Sequence, residues 1–361
     1  MMMEDYIRKA QAADASDLHL TSGLAPRYRI NGAITDSGDP VLTESDCRIM
    51  AQQLAGEQFA QLEKTGELDI ALTLAGVRCR LNLFRRQGSY AAAVRLLRDS
   101  IPRLEDLGLP PVVEEFCSCP RGLILVTGET GSGKSTTLAA ILDRINHTSP
   151  MHILTLEDPV EYLYQPDRCL INQREVGRDT LSFASGLRAA LREDPDVILV
   201  GEMRDLDTIQ TALTAAETGH LVFGTVHTSS AADTIDRIVD VFPEQRQQQI
   251  RLQLSMSLKA VVSQQLLPRA DGKGRVLACE IMKVNDAIRN LIREGKTPQI
   301  RNTIQTSGAI GNISMERAVQ ALYRSGTITK ETMLSVLDGE ASGSMPGSGP
   351  ADSFAGRWRE R

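Results

Sequence analysis

Gly128-Glu129-Thr130-Gly131-Ser132-Gly133-Lys134-Ser135 fits the G-x-x-x-x-G-K-[ST] pattern of a phosphate-binding loop at every position. The flanks supply the context the pattern needs. Leu123-Ile124-Leu125-Val126-Thr127 reads as a buried strand feeding the loop. Thr136 to Ile145 reads as the helix leaving it, with Leu138, Ile141 and Leu142 at helical spacing. Glycines let backbone N–H groups close around phosphate oxygens, and the helix N-terminus adds positive potential. In such a loop Lys134 reaches the β- and γ-phosphates and the Ser135 hydroxyl holds Mg²⁺. Nucleotide contacts are therefore expected from Gly128, Glu129, Thr130, Gly131, Ser132, Gly133, Lys134, Ser135 and Thr136.

Outward from the loop, strands alternate with helices, the mark of a parallel α/β sheet. Strands are expected at 123–127, 152–156, 196–200 and 221–225, with a further pair near 263–268 and 275–282, and helices dominate from Asn285 to Leu337. Ahead of the loop the pattern is different. A short helix at 4–13 and an extended Ser16–Leu20 precede a hairpin signal centred on Asn31-Gly32. Thr43 with Asp46 resembles a capping box opening a helix to about Lys64, with Ile49, Leu54, Phe59 and Leu62 inward and Gly66 at its end. Leu68–Leu74, Val77–Phe84 and Tyr90–Leu97 read as antiparallel strands. The expected division is an α+β module over 1–100, a linker over 101–120 punctuated by Pro102, Pro110 and Pro111, an α/β domain over 121–340, and a Gly/Ser/Pro-rich disordered tail over 341–361.

Composition excludes several classes. Of 361 residues, 42% are apolar and 24% charged, ordinary for a soluble globular chain. Net charge is −6, aromatics are 4%, and there is no long basic run, which argues against nucleic acid as a direct partner. No apolar stretch approaches the ~18 residues of a transmembrane segment. Met1–Ala13 mixes charged and apolar residues, unlike a secretory leader. A cytoplasmic protein is expected, touching a membrane only through partners. The six cysteines form no C-x-x-C pair, so a structural zinc site is not expected.

Four further features carry chemistry. Asp194-Pro195-Asp196-Val197-Ile198-Leu199-Val200-Gly201-Glu202 is an apolar strand ending in a carboxylate, the element that organises Mg²⁺ and water beside a phosphate loop. Glycine at 201 would leave room for the γ-phosphate and a water, and Glu202 could orient or deprotonate that water. Ile153 to Leu156 runs into Glu157-Asp158-Pro159-Val160-Glu161, a crowd of carboxylates that either serves the metal and water or forms a solvated loop. His220 and His227 flank one apolar strand, about 20 Å apart, too far to ligate one metal. On the α+β module, Arg78 and Arg80 share one strand face near Arg85, Arg86, Arg95 and Arg98, either a solvated sheet face or an arginine-finger surface.

Taken together, these boxes resemble the ATPases of the type II secretion and type IV pilus superfamily. The order matches: phosphate loop, acidic box Glu157–Glu161, Walker B stretch Asp194–Asp205, and histidine box Thr214–Thr228, with Ala15-Ser16-Asp17-Leu18-His19-Leu20 resembling the opening motif. The resemblance covers about Ala15 to Gly339 and is strongest to the twitching-motility, or retraction, branch, whose C-terminal signature is matched by Ala287-Ile288-Arg289-Asn290-Leu291-Ile292-Arg293-Glu294. It implies a PAS-like N-terminal domain, a RecA-like C-terminal domain, ATP and Mg²⁺ as cofactors, and a homohexameric ring with nucleotide at the subunit boundary. It further implies the pilus machinery and its inner-membrane platform protein as partners. Carried over, Glu202 is the catalytic carboxylate and shares the metal with Ser135, Glu161 faces the nucleotide, His220 and His227 are the histidine pair, and Arg80 and Arg95 reach nucleotide. Glu129 stands where the branch commonly has proline, and Arg95-Leu96-Leu97-Arg98 departs from the usual run, leaving Arg95 and Arg98 both open. The alternatives are an accessory companion ATPase, a type II secretion or pilus-assembly motor, a RecA-like DNA motor and a nucleotide-gated adaptor.

Overall fold

The computed structural model describes residues 3–30, 33–97 and 100–342. It forms two compact units, Met1–Leu104 with Ser135–Gly224, and Glu105–Lys134 with Thr225–Arg361. In chain order the strands are β1 (Asp17–Thr21), β2 (Arg27–Ile30), β3 (Ala33–Asp36), β4 (Glu67–Leu74), β5 (Val77–Arg86) and β6 (Ser89–Leu96). They continue with β7 (Gly122–Thr127), β8 (His152–Glu157), β9 (Leu170–Glu175), β10 (Val197–Val200), β11 (Leu221–Val226), β12 (Leu258–Pro268) and β13 (Arg275–Lys283).

In the first unit, β1 to β6 form an antiparallel sheet in the order β3-β2-β1-β6-β5-β4. Period-2 alternation decides its faces. On β5, Val77, Cys79, Leu81 and Leu83 are buried while Arg78, Arg80 and Asn82 turn to the other side. The buried face shares a core with Ile7 of helix Met3–Ala12 and Met50 and Leu54 of helix Glu44–Ala55. Each fully buried aliphatic side chain there contributes about 1.5–3 kcal/mol.

The capping box is present: Thr43 Oγ1 accepts from the Asp46 N–H at 3.1 Å and Asp46 Oδ2 accepts from the Thr43 N–H at 2.9 Å. The single helix expected from there to Lys64 is instead two, Glu44–Ala55 and Phe59–Thr65, broken by a 3₁₀ turn at Gly56–Gln58. Ile49, expected inward, is 49% exposed, because Cys47, Met50, Ala51 and Leu54 occupy the inward stripe at i, i+3, i+4 and i+7. Gly66 ends the second helix in the left-handed region at φ 86°. The Asn31-Gly32 turn lies outside the described residues.

The remaining strands of this unit are parallel, in the order β11-β10-β8-β9. Sequence reading missed β9. As the outermost strand it is half solvated, so Leu170-Ile171-Asn172-Gln173-Arg174-Glu175 carries too few apolar residues to look buried.

In the second unit, β12 lies between β7, which it pairs in parallel, and β13, which it pairs antiparallel. The strand pair expected at 263–268 and 275–282 is longer, since β12 begins at Leu258. Helices follow at Asp286–Arg293, Ile300–Thr306, Met315–Arg324 and Lys330–Ser342. The last passes the boundary expected for the tail at Ala341, and residues 343–361 lie outside those described. No helix among the described residues is long and apolar enough to cross a membrane.

In helix Asp286–Arg293, capped by Asn285, the apolar residues Ala287, Ile288, Leu291 and Ile292 fall on one side by spacing but are not buried alike. Ile288 and Ile292 are fully buried, Leu291 is half-buried and Ala287 is exposed. Ile292→Ala should therefore lower stability by about 2–5 kcal/mol and Leu291→Ala by clearly less. Denaturant titration of both variants checks this, and equal losses would show that burial does not rank these two positions.

Candidate nucleotide site

The phosphate loop belongs to the second unit and leaves β7, whose six residues are all buried. Thr127 donates from Oγ1 to Ser263 Oγ at 2.9 Å, fixing the end of the strand against β12. At Gly128 (φ 141°) a Cβ would come within 2.4 Å of the Gln264 carbonyl and 2.5 Å of Ser132 Oγ, so the loop closes only with glycine there. Gly131 and Gly133 lie at φ 79° and 94°. Lys134 is buried, and its ammonium donates to the Gly128 and Glu129 carbonyls, both at 2.8 Å. Ser132 Oγ is buried with no hydrogen-bond partner among the described residues. A buried ammonium at the mouth of the loop, an orphaned hydroxyl and the start of helix Lys134–Thr148 together fit a polyphosphate. A cleft of about 610 Å³ is lined by Glu129, Thr130, His227, Thr228, Ser229 and Asp233. The structure thus brings His227 to the phosphate loop.

The carboxylates belong to the first unit, as do Ser135 and Thr136. β8 ends at Glu157, whose Oε1 accepts from Thr155 Oγ1 at 2.6 Å and Gln173 Nε2 at 3.3 Å. The loop after it is strapped to β9. Val160 N–H donates to Glu175 Oε2 at 3.1 Å, Gln173 Nε2 donates to the Tyr162 carbonyl at 2.8 Å, and Tyr164 N–H donates to Gln173 Oε1 at 3.1 Å. Tyr162 OH shares a 3.0 Å hydrogen bond with Thr136 Oγ1, one residue past Ser135. Glu161 therefore sits in an ordered loop tied to the first turn of the helix that follows the phosphate loop. Sequence reading found the carboxylates but missed Gln173 and Glu175, whose i, i+2 spacing on a short polar segment is the only signal they give.

Burial pushes the Glu157 carboxyl up, and Glu161's charge adds to this. The Thr155 and Gln173 hydrogen bonds, with one from the Glu161 backbone, oppose it. A carboxyl raised on folding adds most stability below its unfolded pKa, and that contribution is lost as pH rises past about 4.3. Glu157→Gln should thus gain stability relative to the parent as pH rises from 4.5 to 8. Melting curves across that range check it, and a constant difference would remove the shift.

β10 ends at Val200, and the next residue, Gly201, donates its N–H to the Leu156 carbonyl at 2.8 Å. A Cβ at Gly201 would lie 3.0 Å from that carbonyl and 3.3 Å from Glu157 Cα. The observed reason for glycine is therefore close approach to the acidic strand, in addition to the room for phosphate and water that sequence suggests. Glu202 follows, mostly buried and ion-paired with the exposed Arg204. Asp205 caps helix Leu206–Glu217, accepting from Thr208 N–H at 2.9 Å and Thr208 Oγ1 at 2.7 Å. His220 and His227 flank β11 as expected. His220 Nδ1 lies 3.0 Å from the Ala215 carbonyl, which can only accept, so Nδ1 carries the proton.

On the antiparallel sheet, Arg80 and Arg95 face each other across β5 and β6. Arg95 Nε donates to Asp17 Oδ1 at 2.9 Å. Burial alone would raise the Asp17 carboxyl, but hydrogen bonds from Ser16 and Arg95 and Arg95's charge hold it below the usual range. Arg80 is exposed and has no side-chain partner among the described residues, while Arg98 lies outside them. Arg78, which neither reading of this face singled out, is the arginine engaged with the acidic loop.

A model of the type II/IV secretion system protein family matches residues 1–334. The type IV pilus retraction ATPase PilT of Pseudomonas aeruginosa is 49% identical over 319 residues, 88% of this chain and 92% of that protein. The PilU pilus ATPase of the same organism is 35% identical, over 94% of this chain and 89% of its own. A crystal structure of the pilus retraction motor PilT with bound ADP matches with a TM-score of 0.87 at 48% identity, covering 92% of this chain and 96% of that one. The fold it shares is α/β, an N-terminal module followed by a RecA-like ATPase fold. With the family match spanning nearly the whole described chain, this protein belongs to the type II/IV secretion system protein family.

Proposed function

We propose that this protein is an ATP-hydrolysing motor that powers type IV pilus retraction, and so twitching motility, as a homohexamer. The observation that carries this is 49% identity, over 88% of the chain, to a pilus retraction ATPase, in a chain whose phosphate loop is intact. The lower identity to PilU, 35%, favours the retraction motor over the accessory one. A division into a PAS-like module over 1–100, a linker over 101–120 and an ATPase domain over 121–340 is supported by one antiparallel sheet and one core, both within the first 96 residues. Partners at the cytoplasmic face of the inner membrane, the platform protein foremost, follow from the same reading.

Bound as its Mg²⁺ complex, ATP would supply the γ-phosphoryl group and the metal's charge. Lys134 would exchange its carbonyl partners for phosphate oxygens, and Ser135 and Glu202 would hold the metal, Glu202 possessing the basic oxygen that orients and deprotonates water. Glu161, in the strapped loop, would add a carboxylate facing the nucleotide. His227 borders the phosphate loop and could respond to phosphate, and His220 would brace the other end of β11. Arg80 and Arg95 would reach nucleotide from the N-terminal module. Steady-state ATPase assays with and without single-stranded DNA test the class. Hydrolysis indifferent to DNA is expected, and DNA-dependent hydrolysis would favour a DNA motor.

A further inference from the structure

Arg78 is a surface-strand arginine by its alternation on β5, yet its side chain is only 13% exposed. Its guanidinium donates from Nε and Nη2 to the Val160 carbonyl at 3.2 and 3.0 Å, and from Nη2 to Glu175 Oε2 at 3.3 Å. Nη1 reaches the Ala71 carbonyl at 3.5 Å. Val160 N–H donates to the same Glu175 oxygen, so the peptide group on each side of Val160 is held. The tie joins residues 82 and 97 positions apart in sequence, and residue 160 is covalently next to Glu161.

We infer that Arg78 is a positioning residue for catalysis: it holds the acidic loop from the antiparallel sheet, and Glu175 is its counter-ion. The geometry needs arginine. The planar fork meets a carbonyl and a carboxylate together, whereas a lysine ammonium is a single point charge on a flexible stem. Without Arg78, Glu175 keeps the Val160 N–H but loses its cation, and the Val160 carbonyl loses both of its side-chain donors. Because the tie starts on β5, displacement of that strand would be felt one bond from Glu161. The catalytic consequence rests on the reading of Glu161 as a nucleotide-facing carboxylate. The ordering of the loop does not.

The test uses the full chain with Arg78→Ala, Arg78→Lys and Glu175→Gln, assayed by hydrogen–deuterium exchange over residues 158–164, ADP affinity and steady-state turnover. In Arg78→Ala, exchange in that segment should rise at least about tenfold while β7 and β10 stay protected. Turnover should fall about 10²-fold, as for a misplaced catalytic group, with ADP affinity changed less than about threefold. Arg78→Lys should not restore turnover, and Glu175→Gln should loosen the same segment. Unchanged exchange over 158–164 in both Arg78→Ala and Glu175→Gln overturns the proposal, as does loosening with wild-type turnover. Parallel loss of ADP affinity, turnover and melting temperature would make Arg78 merely structural and also overturns it. If the parent protein hydrolyses no ATP, the functional reading fails instead, and exchange still decides whether Arg78 orders the loop.

Discussion

Glu202→Gln should reduce ATP turnover by roughly 10²–10⁴ while leaving ATP bound. The substitution keeps side-chain shape and removes only the charge and the basic oxygen. Glu202 sits two residues past the end of the fully buried β10 and next to Gly201, which packs on the acidic strand, so its backbone is held close to the sheet. Its carboxylate is ion-paired with the exposed Arg204. Lys134→Ala is the control, because it deletes the buried ammonium and should weaken binding as well as turnover. Nucleotide titration alongside single-turnover phosphate release separates the two. Wild-type turnover by Glu202→Gln would remove its assigned role.

Arg80→Ala should cost about 10³ in turnover if it acts as a finger on a neighbouring subunit's nucleotide. Arg80 is the better candidate of the facing pair. Arg95 already spends its guanidinium on Asp17, whereas Arg80 extends without a side-chain partner among the described residues. Arg95→Ala should then cost less and also loosen β1 at Asp17. Mixing Arg80→Ala with Glu202→Gln should recover activity, since some boundaries in hybrid rings combine an intact Arg80 with an intact Glu202. Demonstrably mixed rings without recovery would count against a site shared between subunits.

Much of this was legible in residue order. The phosphate loop could be read because its glycines are there for steric reasons that spacing alone encodes, and Gly128 is the clearest case. β7, β8, β10 and β11 could be read because strands buried on both faces have little choice but apolar side chains. β9 could not, since an edge strand is under no such constraint. With it went Gln173 and Glu175, and hence the hydrogen bonds that strap the acidic loop to that strand. Arg78 and Arg80 look alike in sequence because both obey the same alternation. Only the tertiary fold, by bringing Val160 and Glu175 to one of them, tells them apart. The broken helix at Gly56 shows the same limit, as a single periodic stretch carries no signal for a turn that keeps both halves packed.

Conversion of hydrolysis at this site into pilus retraction can be watched by imaging labelled pili in cells lacking the gene and complemented with the parent chain or with Glu202→Gln. The parent should restore retraction, whereas Glu202→Gln should form hexamers, bind ATP and leave pili extended. Retraction at the parental rate with Glu202→Gln as the only copy would contradict that conversion.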